Sequence, residues 1–74
     1  MNFLVIGSGA REHIIAQKLF DAGVNVYSVI TNRNPGLINL SKDFLFVNTY
    51  KANVQKIVDF SLSKYIDCVV IGPE

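Results

Sequence analysis

Glycines at positions 7 and 9 flank a serine directly after the apolar run Phe3-Leu4-Val5-Ile6, and the turn continues as Ala10-Arg11-Glu12-His13. A strand that ends in glycines and feeds a helix N-terminus brings backbone N–H groups close to a ligand, a geometry suited to a phosphate or a polar sugar. Gly7, Ser8, Gly9, Ala10 and Arg11 are therefore the first candidate binding residues. The competing reading is a tight turn without a ligand. Arg11 suits an anion lying over the helix start, or else stands as an exposed charge. Glu12 favours the helix dipole from the first turn and reads as a packing-adjacent residue rather than a catalyst. His13 has the chemistry of a general base, but no carboxylate or nucleophile lies at a matching spacing, so a structural histidine is the preferred reading.

A second group of candidates follows the last apolar run. Gly72 and Pro73 fix the direction in which the chain leaves it, and Glu74 then offers a carboxylate. That carboxylate either accepts hydrogen bonds from sugar hydroxyls or an amine, or is an ordinary solvated loop glutamate. Asn34, Pro35 and Gly36 either rim the same ligand site or form a plain turn, for which Asn-Pro and Pro-Gly are common signals. Cys68, inside an apolar run, reads as a buried inert thiol. Tyr27, Tyr50 and Tyr65 read as half-buried packing residues, with no aromatic platform for stacking bases.

These candidates need elements to position them, and four strands are expected, at residues 3–6, 25–30, 44–47 and 68–71. The first and last are solid apolar runs, as in strands covered on both faces. Ile15, Leu19 and Ala22 share one helical face, and Gly23 stops that helix. Val54, Ile57, Val58, Ser61, Leu62 and Tyr65 follow the spacing of a second long helix. Asn53 is its expected N-cap, with Thr49 as the competitor. Residues 31–35 read as a loop and 36–41 as a short helix. Strands alternating with helices predict an α/β, Rossmann-like parallel sheet with right-handed crossovers and strand order 3-2-1-4. The chain then reverses direction between strands 1 and 4. Ligands bind at such a switch point, beyond the carboxyl ends of the strands.

The sequence has 74 residues, half of them hydrophobic, with 7 Lys+Arg against 6 Asp+Glu. That describes one small globular unit. A domain this size buries only about 60% of the surface its unfolded chain exposes. Scattered, balanced charge gives no basis for binding nucleic acid or an anionic membrane. A single cysteine permits no internal disulfide and fits a reducing, cytoplasmic setting. No basic leader precedes an apolar stretch at the start, so no signal peptide is expected, and no run reaches membrane-spanning length. The strand-to-loop signal at Gly72-Pro73-Glu74 leads to the expectation that residues 1–74 are a piece of a longer protein.

The turn departs from a dinucleotide fingerprint in two respects. Its third glycine position is Glu12, whose side chain is expected to oppose close helix–strand packing and a bound pyrophosphate. No Asp or Glu occurs between Asp21 and Asp43, where an NAD ribose partner would stand. A dinucleotide-binding domain of an oxidoreductase and a non-catalytic interaction module remain the alternatives.

Taken together, the residues resemble the N-terminal domain of phosphoribosylamine–glycine ligase, or glycinamide ribonucleotide synthetase. Residues 5–13 are similar to that family's opening G-x-G-G-R-E-H turn, with Ala10 where glycine is usual. Asn34-Pro35-Gly36 resembles its P-G loop, and Val70-Ile71-Gly72-Pro73-Glu74 its V-G-P-E. The resemblance implies a purine-biosynthesis ligase that joins 5-phosphoribosylamine to glycine while ATP becomes ADP and phosphate, through a glycyl phosphate. It implies that ATP and Mg²⁺ belong to an ATP-grasp domain outside these residues. This domain would help bind phosphoribosylamine, with no catalytic residue or metal of its own. Gly7–Arg11 would line the sugar-phosphate side, Glu74 would hold ribose hydroxyls or the amine, and Asn34–Gly36 would rim the pocket.

Overall fold

The computed structural model describes residues 1–72. In chain order it contains β1 (Asn2–Ile6), α1 (Ala10–Asp21), β2 (Asn25–Ile30), α2 (Pro35–Leu40), β3 (Asp43–Phe46), a 3-10 turn (Lys51–Asn53), α3 (Val54–Ser63) and β4 (Cys68–Ile71). The sheet runs β3-β2-β1-β4 with every pairing parallel, the order that the alternation of elements predicts. Ile6 pairs with both Val29 and Ile71, so the exits of β1, β2 and β4 fall side by side.

Alternate residues of the sheet build two apolar layers. Val5, Val26 and Ile30 pack with Ala16 of α1 and Leu37 of α2 on one face. Leu4, Val29 and Val47 lie on the other, under Ile57 and Phe60 of α3. Tyr27 meets the Phe60 ring edge-on, with centroids 6.4 Å apart. Ser28 is fully buried in β2. The Ser41 hydroxyl donates to the Leu37 carbonyl (2.7 Å), which leaves Ser28 as the donor in its 2.6 Å contact with Ser41. Both hydroxyls of this pair therefore have a partner.

Local signals set the element ends. Gly23, at φ +83°, ends α1: its N–H bonds to Phe20 and that of Val24 to Leu19, the paired bonds of a Schellman motif. Asn34 caps α2 by accepting the Leu37 N–H at 3.3 Å, and Pro35 fills the first helical position. Thr49 and Asn53 divide the entry to α3. Thr49 Oγ1 accepts the Ala52 N–H of the 3-10 turn, while Asn53 holds the cap position with no side-chain cap bond. Instead, the Asn53 amide donates to Asn48 Oδ1 and to the Thr49 carbonyl.

Three expectations are corrected. Helix α3 stops at Ser63, and Tyr65 takes a left-handed φ of 54° and lies 82% exposed rather than half-buried. Cys68 is exposed, not buried. Strand β4 is not covered on both faces: among the described residues it is an edge strand, with Val69 49% and Ile71 73% exposed. The apolar stripe of α3 splits for the same reason. Ile57 and Phe60 face the core, whereas Val54, Val58 and Leu62 stay exposed. Val54 and Val58 border an apolar groove of about 460 Å³ whose other walls include Ile6 and Ile71.

At the amino ends of the strands, the Lys64 ammonium donates to Asp43 at 2.8 Å and joins the end of α3 to the start of β3. That hydrogen bond, with one from the Phe44 N–H, holds the Asp43 carboxyl below the usual carboxylate range. A lowered native value means that the contribution is present above the unfolded value and is lost as pH falls through the native one. Asp43→Asn is therefore expected to lower the unfolding midpoint at neutral pH, with the difference shrinking as pH falls below the usual carboxylate range. Chemical denaturation across pH measures this. Leu4→Ala, which opens a cavity beneath α3, is expected to cost about 2–4 kcal/mol in the same assay.

Candidate substrate-binding edge

The β1–α1 turn, the β2–α2 loop and Gly72 meet beyond the carboxyl ends of the strands. The Gly7 N–H bonds to the Val29 carbonyl (3.0 Å) and the Gly72 N–H to Ile6 (2.9 Å), so both exits continue the sheet's ladder before diverging. Ser8 then ties two loops together. Its hydroxyl accepts the N–H groups of Thr31 (3.1 Å) and Asn32 (3.3 Å) and lies 3.3 Å from the Thr31 hydroxyl. In return, Asn34 donates its side-chain amide to the Ser8 carbonyl at 3.1 Å. One side chain thus caps α2 and fixes the glycine turn, and the turn and the Asn-Pro-Gly loop form one rim.

Glu12 lies beneath this rim at 4% exposure. Its Oε1 accepts the Gly9 N–H at 3.1 Å, which is the Glu half of a capping box; glycine has no side chain to supply the other half. A Cβ on Gly7 would stand 2.6 Å from both Glu12 Cγ and Oε1, and one on Gly72 would overlap the same carboxyl group. Gly7 also has φ +138°, which an L side chain rarely adopts. Contrary to the expectation that its side chain would oppose close helix–strand packing, Glu12 fills the space that Gly7 and Gly72 leave open. His13 occupies the equivalent position one residue on, its imidazole lying where a Cβ on Gly36 would be.

The arrangement has a chemical consequence. The partial positive charge of the α1 N-terminus already has a resident carboxylate, that of Glu12. A neutral hydroxyl or an amine suits this end of the crevice better than a phosphoryl dianion. Arg11 and Ala10 are exposed in the first turn, and Pro35 is exposed on the rim. Pro73 and Glu74, the remaining candidates, lie outside the described residues.

Sequence reasoning missed a second opening on this edge. Thr31, Asn48, Thr49, Tyr50 and Lys51 line a cleft of about 520 Å³. The available signal was positional: Thr31 directly follows β2, and residues 48–51 follow β3 closely, so a parallel sheet places both at its carboxyl edge.

Comparison with known proteins decides the family. A family model described as the N domain of phosphoribosylglycinamide synthetase matches residues 1–74. The chain belongs to this family. It is 42% identical over 74 residues to the phosphoribosylamine–glycine ligase of Methanothermobacter thermautotrophicus and 38% identical over 74 residues to that of Pyrococcus horikoshii. In both matches all of this chain aligns with 16% of the relative. The ligase of Methanococcus vannielii is 40% identical over 75 residues. The chain thus spans about one sixth of the length of the curated relatives it matches.

The fit of His13 against Gly36 is testable by a double-mutant cycle. Gly36→Ala is expected to destabilise by about 1–3 kcal/mol through overpacking against the imidazole. In a His13→Ala background the same change is expected to stabilise by about 0.5–1 kcal/mol, because alanine is the better helix residue. Denaturant midpoints of the four proteins measure the coupling.

Proposed function

We propose that this chain is the phosphoribosylamine-binding domain of an ATP-dependent ligase that joins 5-phosphoribosylamine to glycine. The family match over residues 1–74 carries this reading. The joined rim of Gly7–Arg11 and Asn34–Gly36, set around a buried carboxylate, supports it physically. A ribosylamine offers hydroxyls and an amine, the groups that best suit a helix start already occupied by Glu12.

In this reading, backbone groups of Gly7, Ser8, Gly9 and Ala10 and the Arg11 side chain form one wall of the pocket. Asn34, Pro35 and Gly36 form its rim, and Gly72 begins the opposite wall. The contribution to the reaction is orientation. A ribosylamine held between fixed strand exits meets an activated glycine as if in an intramolecular reaction. Activation of glycine by ATP would produce ADP and a glycyl phosphate, with phosphate released when the amine attacks. ATP and Mg²⁺ are assigned to an ATP-grasp domain beyond these residues. Among the described residues no three His, Cys, Asp or Glu side chains gather to hold a cation, and Glu12 is committed to Gly9.

The test is an assay of a ligase-length protein carrying this sequence. ATP turnover is expected to require both glycine and phosphoribosylamine and to yield glycinamide ribonucleotide. Turnover independent of either substrate, or none, overturns the reading. In the active protein, Asn34→Ala releases both the Ser8 carbonyl and the α2 cap. It is expected to raise KM for phosphoribosylamine about 10-fold or more, on the scale of one or two lost hydrogen bonds, while KM for ATP stays unchanged.

A further inference from the structure

We propose that the cleft lined by Thr31, Asn48, Thr49, Tyr50 and Lys51 is an anion subsite that takes the phosphoryl group of a phosphorylated sugar, with Lys51 as its countercharge. The proposal rests on the ribosylamine reading for the identity of that sugar. The chemistry of the cleft stands independently of it.

The first observation is the balance of donors and acceptors. The lining contains one ammonium, one carboxamide, three hydroxyls and no carboxylate. Asn48 Oδ1 already accepts from the Thr49 N–H (2.9 Å) and from Asn53 Nδ2 (2.7 Å). The acceptor end of this amide is thereby occupied, and its NH₂ group has no protein partner among the described residues. Lys51 Nζ forms no salt bridge among them either, the Lys64–Asp43 pair being elsewhere. At the base of the cleft Tyr50 packs on the apolar layer, its hydroxyl buried without a hydrogen-bond partner among the described residues. The cleft therefore presents the exposed Asn48 amide and Lys51 ammonium, with no carboxylate in its lining to engage them, and it suits a ligand made of acceptors. A phosphoryl group has three acceptor oxygens and negative charge.

The second observation is position. Thr31 belongs both to the cleft and to the glycine-turn rim, through its bonds to Ser8. A ligand can therefore span from one to the other without leaving the edge. The third is exclusion: Glu12 places a carboxylate at the α1 N-terminus, where an anion would otherwise bind. The two ends of the edge thus differ in kind. The turn suits hydroxyls and an amine, and the β2–β3 cleft suits the phosphate. At about 520 Å³ the cleft has room for a phosphoryl group and part of a sugar.

The experiment uses a ligase-length protein carrying this sequence, with Lys51→Met, Lys51→Arg and Thr49→Val variants. Calorimetric titration with ribose 5-phosphate, inorganic phosphate and ribose, without ATP or glycine, is the first arm. Expected is binding of the two phosphorylated probes, weakened at least 10-fold by Lys51→Met, less by Thr49→Val, and largely restored by Lys51→Arg. Equal binding of ribose 5-phosphate by wild type and Lys51→Met, with circular dichroism showing both folded, overturns the subsite. The second arm is kinetic: Lys51→Met is expected to raise KM for phosphoribosylamine at least 10-fold, with kcat and the KM for ATP within twofold. A loss of kcat without a change in KM overturns the proposal. If the wild type lacks ligase turnover, the reading of function fails while the calorimetric arm still decides the subsite.

Discussion

The carboxylate of Glu12 is the contact on which the rest of this edge depends. It is buried, it accepts the Gly9 N–H that begins α1, and it occupies the volume left by Gly7 and Gly72. Those glycines follow β1 and β4, strands far apart in sequence that become neighbours only because the chain reverses direction at β1. The side chain thus sets the start of a helix and the spacing of two strand exits at once. A shorter residue would leave a polar hole under the turn; a bulkier one would push the exits apart.

With that position fixed, the chemistry of the edge is divided. The Glu12 carboxyl group sits under the β1–α1 turn, and the Asn48 amide and Lys51 ammonium, without protein acceptors among the described residues, sit between the exits of β2 and β3. Ser8 and Thr31 join the two regions through hydrogen bonds rather than apolar packing, which keeps the surface between them hydrophilic. A sugar phosphate has the same division along its length. The helix start is filled by the protein's own carboxylate, that of Glu12.

The strand order was legible because β1 and β2 are short β-branched and aromatic runs separated by helical periodicity, and parallel connection leaves few topologies. The joining of the turn to Asn34 was legible as a shared edge. The burial of Glu12 was not. Its first-turn position marked it as a packing-adjacent residue favoured by the helix dipole, but only the two facing glycines reveal how deeply it is enclosed. Cys68, Val69 and Ile71 misled for the opposite reason: an apolar run reports what a strand can bury against, not what lies beside it within these residues. Tyr50 and Lys51 were missed because their cleft is assembled from two loops with no motif of their own.

The Ser28–Ser41 pair bears on how faithfully the sheet forms. Four of the six residues of β2 are apolar or aromatic and would tolerate several alignments against β1. A shift by one position turns every side chain of the strand to the opposite face. Ser28 would then enter the layer of Leu4 and Val47, away from the hydroxyl that satisfies it. An unpaired hydroxyl in an apolar layer costs about 1–3 kcal/mol, a large fraction of what so small a domain has to spare. A single small polar residue thus serves as a proofreading mark in an otherwise permissive strand, disfavouring the misaligned sheet on which the strand exits could not meet.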